Sequence, residues 1–72
     1  METMSVSKRI AESYQRELHI LCNFLVERED TFSEDWYRSF WLGTYALAKD
    51  YERNIIEVYY QAGMLINELR VI

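Results

Sequence analysis

His19 and Cys22 are the residues of this chain whose types lend themselves most readily to catalysis or metal binding, and the sequence holds one histidine and one cysteine in all. A histidine acting as a general base needs a positioned partner, but the helical neighbours of His19 are Gln15 and Asn23, neither of them a carboxylate. A structural zinc site draws four ligands from Cys and His, and a di-iron bundle needs Glu-x-x-His pairs from two helices. One histidine and one cysteine supply neither. We therefore expect His19 to be solvated on an outer helix face and Cys22 to be a small core residue. No catalytic residue, metal site, cofactor or small-molecule substrate is expected, and the chain reads as a non-enzyme.

The other concentrated chemistry is aromatic. The stretch WYRSFW, Trp36 to Trp41, places four rings in six residues. On a helix Trp36, Phe40, Tyr37 and Trp41 fall at about 0°, 40°, 100° and 140° around the axis. A helix touching one neighbour needs a stripe of about 100°, so this broader arc implies two. These four rings are expected to form an aromatic core near a turn, with a hot spot for a different protein as the alternative.

Composition narrows the function classes. Of 72 residues half are apolar or aromatic, 28% are charged, none is proline, and the net charge is -4. Such a chain is helical and globular rather than disordered. Nucleic-acid binding rests on clustered Lys and Arg that displace counterions, so nucleic acid is an unfavoured partner, as is an anionic membrane surface. No run approaches the roughly 20 apolar residues of a membrane span, and METMSVSKRIAE lacks the apolar stretch of a signal peptide. With a lone cysteine, the expected location is the cytoplasm.

The elements that must position these residues are helices of one domain spanning 1–72. A first helix of about 6–29 is expected to start at a cap on Ser5 or Ser7, with Ile10, Ala11, Tyr14, Leu18, Leu21, Cys22, Phe24 and Leu25 on its apolar arc. The turn 30–33 follows, in which Thr31 with Glu34 fits a capping box. Beyond it Tyr37, Trp41, Thr44, Ala48, Tyr51, Ile55, Val58, Ala62, Leu65, Leu69 and Ile72 advance by alternating fours and threes, a heptad seam. The seam predicts one long helix of about 34–70 and hence an all-α helical hairpin. Gly43 or Asp50 offers an alternative break that would give a three-helix monomer.

Length then predicts assembly. At about 1.5 Å per residue the first helix spans roughly 35 Å and the second roughly 55 Å, leaving Val58, Ala62, Leu65, Ile66, Leu69 and Ile72 uncovered. Burial of such side chains is worth roughly 1.5–3 kcal/mol each, so the strip is expected to self-associate into an antiparallel homodimer, a four-helix bundle. Tyr45, Ile56, Tyr60 and Met64 fall outside that arc and form a candidate surface for another protein. The functional expectation is a small acidic interaction or regulatory module, with a nucleic-acid-binding regulator built on a helical hairpin as the alternative. In size and composition the chain resembles the small, acidic, helical accessory proteins of bacteriophages, a likeness that implies binding to a host protein.

Overall fold

The computed structural model describes residues 2–28 and 34–71, with side chains from residue 8 onward. Three α-helices follow one another: α1 (Glu2–Glu27), α2 (Glu34–Asp50) and α3 (Ile55–Val71). Trp36 meets Leu25 while Ser13 meets Tyr51, so α2 runs antiparallel to α1. Tyr59 packs on both Phe40 and Trp41, and α3 returns antiparallel to α2.

Each helix faces the others with residues three or four apart, the spacing that keeps side chains on one face. Tyr14, Leu18, Cys22 and Leu25 come from α1, Trp36, Phe40, Leu47 and Ala48 from α2, and Val58, Ala62 and Ile66 from α3. Thr44, the buried polar residue among them, turns its hydroxyl back to the Phe40 carbonyl at 2.8 Å and so satisfies it inside its own helix. The indole N–H of Trp36 donates to the Leu25 carbonyl at 2.7 Å, where the end of α1 leaves carbonyls without intrahelical partners.

The long helix expected over 34–70 is two helices. Residues 51–54 close α2 and open α3 by local hydrogen bonding. Arg53 N–H donates to the Ala48 carbonyl at 2.8 Å and Glu52 N–H to the Lys49 carbonyl at 3.3 Å, the paired bonds of a Schellman motif. Glu52 takes the left-handed conformation at φ 51° that this motif requires and that glycine usually occupies. Asn54 then caps α3: its side-chain oxygen accepts the N–H groups of Ile56 at 2.8 Å and Glu57 at 3.3 Å. The heptad seam is blind to this break because four residues are about one helical turn, and the phase carries through.

This correction removes the premise of the expected dimer. Val58, Ala62 and Ile66 are buried against α1 and α2 of the same chain, with Leu65 and Leu69 packed around them, while Ile72 lies outside the described residues. The overhang belongs to α1 instead, whose residues 8–12 are exposed. Since α1 starts at Glu2, Ser5 and Ser7 fall inside it rather than at its cap. It closes at Glu27, short of the expected 29, and the turn 30–33 lies outside the described residues. Gly43 makes no break. A Cβ on it would stand 2.5 Å from Leu21 Cδ1, so this glycine lets α1 and α2 approach closely.

Candidate protein-docking groove

The residues suited to catalysis are not assembled for it. Cys22 is fully buried, its sulfur 3.6 Å from the Ala62 carbonyl, and burial pushes its thiol up to about 11. His19 is exposed and lines a cleft between α1 and α3 together with Gln15, Gln61 and Glu68. Among the described residues there is no group of three His, Cys, Asp or Glu side chains able to hold a metal ion, nor a helix long and apolar enough to cross a membrane. A polar cluster does join the helices near their middle. Tyr14 donates to Gln61 Oε1 at 2.5 Å, its ring lies edge-on to Tyr51, and the Arg53 guanidinium sits 3.9 Å from its centroid. Burial raises the Tyr14 hydroxyl above its usual range against the lowering effect of Arg53. Arg53 also bonds Glu57 at 2.8 Å, so the cluster is a clamp that ties α1 to α3 and to the turn 51–54.

The aromatic stretch splits in two. Trp36 and Phe40 stack at 5.9 Å and lie 8% exposed in the core. Tyr37 and Trp41 are half-exposed, and Trp41 lies flat on Tyr59 at 4.2 Å between centroids. Periodicity placed all four on one broad arc and did not separate its buried half from its open half.

Tyr37 of that open half, but not Trp41, lines a groove between α2 and α3, a concavity of about 520 Å³. Trp36, Tyr37 and Phe40 form the α2 wall, while Ile56, Tyr60, Gly63 and Met64 come from the outer side of α3. Ile56 is 72% and Tyr60 67% exposed. Tyr45 stands apart on the α2 rim, its ring under Lys49 Nζ at 5.9 Å, and does not line the groove. Tyr59, Asn67 and Arg70 also line it, and sequence reasoning passed over all three. Tyr59 was legible in principle as the residue between Val58 and Tyr60 that bridges the buried and outer arcs of α3.

The outcome is unusual for α3. Val58, Ala62 and Ile66 cover its inner side, while Ile56, Tyr60, Met64 and Val71 stand exposed on its outer side. A surface helix ordinarily turns polar residues away from its covered face, yet here apolar residues also stand on the side facing solvent. The fold and this surface together define a three-helix protein with an apolar interhelical groove. Comparison with protein-family models, curated proteins and solved structures finds no match to this chain.

Proposed function

We propose that this chain is a protein–protein interaction module that takes an apolar helical segment of another protein into the α2–α3 groove and thereby regulates it, in the cytoplasm. The single observation behind the reading is the outer side of α3, where Ile56, Tyr60 and Met64 are left open beside Tyr37. Water-exposed apolar residues in isolation are ordinary; gathered along a groove they mark a binding surface. By area, the exposed parts of Tyr37, Ile56, Tyr60 and Met64 amount to roughly 500 Å², below the total of about 800 Å² that one partner contributes to a standard interface. The proposal involves no catalytic step, since the buried Cys22 thiol is protonated at neutral pH.

The test places a photo-crosslinking phenylalanine analogue at Tyr60, and in a control at Glu12 on the α1 overhang, within the cell that makes the protein. A discrete adduct to one other protein from position 60, absent from position 12 and lost in Ile56→Asp, is the expected result. Equal adduct patterns from both positions would refute the assignment.

A further inference from the structure

The connection between α2 and α3 is made of residues that a helix would accept. Tyr51, Glu52, Arg53 and Asn54 include neither proline nor glycine, the two types that ordinarily stop a helix. Glu52 is nonetheless bent to φ 51°, a left-handed conformation unfavourable to any residue with a Cβ. Helical bonding comes up to this bend from both sides. Tyr51 N–H donates to the Leu47 carbonyl at 3.1 Å and Val58 N–H to the Asn54 carbonyl at 3.1 Å, each across four residues as in an α-helix. The Arg53–Glu57 ion pair has the same separation, that of neighbours on one helix face.

If 51–54 coiled, α2 and α3 would join as one helix over 34–71. The heptad steps from Tyr37 to Leu69 pass through the connection without a slip, so the apolar side of α2 would stay in line with that of α3. In a single chain this straightening strips Val58, Ala62 and Ile66 of their cover. In a pair it does not. Two straightened chains laid antiparallel about a two-fold axis at 51–54 bring the partner's α3 onto each α1–α2 pair, in the direction the chain's own α3 had. The contacts of α3 beyond the hinge are then remade between chains, the Tyr14–Gln61 bond and the stacking of Trp41 on Tyr59 included. Exchange of an identical element is a low-cost route to a dimer, and short hinges under strain invite it. The balance therefore rests on the hinge. Opening it gives up the Schellman bonds, the Asn54 cap and the seat of Arg53 on Tyr14, while it releases Glu52 and continues the helix.

We propose that 51–54 is a hinge through which two copies of this chain exchange α3, giving a two-fold dimer alongside the closed monomer. In that dimer each α2–α3 groove is walled by both chains, with Trp36, Tyr37 and Phe40 from one and Ile56, Tyr60 and Met64 from the other. The exchange needs no uncovered strip on α3, because it substitutes one cover for an identical one.

The test refolds the full chain from urea at micromolar and at millimolar concentration and separates the products by size exclusion with light scattering. Millimolar refolding should yield a dimer. Glu52→Gly, which suits the closed turn and weakens a helix, should raise the dimer's dissociation constant by about a hundredfold or more, since each dimer holds two hinges. Asn54→Ala, which removes the cap of the closed form, should lower it by about tenfold or more. Chains carrying Asp35→Cys and Glu68→Cys are spin-labelled while folded, with Cys22 buried out of reach, and are refolded with an excess of unlabelled chain. The separation of the two labels should be short in the monomer and about 50 Å in the dimer, the rise of a straight helix between those positions. Absence of a dimer from both the parent and Asn54→Ala at millimolar concentration overturns the proposal. So does a dimer whose labels stay as close as in the monomer, or one indifferent to Glu52→Gly.

Discussion

Two glycines in helix interiors should respond oppositely to the same substitution. Replacing glycine by alanine inside a helix gains about 1 kcal/mol from reduced backbone freedom in the unfolded chain. At Gly63 nothing offsets that gain, because the added methyl meets no atom within 4 Å. With an unfolding entropy of about 2.1 cal/mol/K per residue, the 72-residue chain has about 150 cal/mol/K. Gly63→Ala should therefore raise Tm by about 7 °C. At Gly43 the methyl would stand 2.5 Å from Leu21 Cδ1, 3.1 Å from Cδ2 and 3.4 Å from Cγ. Forcing a side chain into such a contact costs about 1–3 kcal/mol. Leu21 is half-buried beside an open cleft between α1 and α2, so it can swing outward at the loss of part of its burial. The net expectation for Gly43→Ala is a loss of up to about 2 kcal/mol, a fall in Tm of up to about 13 °C. Thermal melts followed at 222 nm, repeated with urea to check that the slope is unchanged, read both. Equal stabilisation by the two variants would refute the close approach of α1 and α2 at Gly43, and a destabilised Gly63→Ala would refute the open space beside Gly63.

Further expectations rest on other features. Asn54→Ala removes the cap from α3 and should cost about 1 kcal/mol in urea unfolding, whereas Asn54→Ser should recover most of it. Glu52→Gly relieves the left-handed strain at φ 51° and should stabilise the fold by about 1 kcal/mol, the reverse of the usual effect of a glycine. Cys22 links stability to alkaline pH. Its folded thiol is raised to about 11 from 9, so between those values the unfolded chain releases the proton that the folded chain keeps. The Cys22 contribution is complete below pH 9 and should decline as pH rises toward 11, and Cys22→Ala should reduce the slope in a series of urea midpoints, leaving the part due to the raised Tyr14 hydroxyl. Tyr60→Asp should leave the melt of the chain within about 0.5 kcal/mol of the parent, because the side chain stands largely in water.

Much of the helix content was legible because side-chain spacing decides it. The inner face of α1 emerged from Tyr14, Leu18, Cys22 and Leu25, and the alternative of three helices with a break near Asp50 agrees with the architecture observed. The continuous helix failed for a physical reason: the Schellman turn uses Glu52 where a glycine would have announced it, and the four residues 51–54 preserve the heptad phase. One signal was present and unread. Asn54 followed three residues later by Glu57 is a helix start of the capping-box kind. Gly43 sent the opposite message, since a glycine can break a helix or let another helix approach, and the difference lies in Leu21, 22 positions away. The docking face was legible only in fragments. Ile56, Tyr60 and Met64 share the outer side of α3 by spacing alone, but joining them to Tyr37 and excluding Tyr45 requires knowing that α3 folds back along α2.

The unequal placement of the two tryptophans makes this chain its own optical instrument. Trp36, 8% exposed and hydrogen-bonded to the end of α1, emits from a dry, fixed setting, whereas Trp41, 50% exposed on the ring of Tyr59, emits from the edge of the solvent. Iodide should quench the red part of the emission and leave the blue part bright until the helices separate. Single-tryptophan versions, Trp36→Phe or Trp41→Phe, then yield one probe of the α1–α2 junction and one of the open seam, without any attached dye.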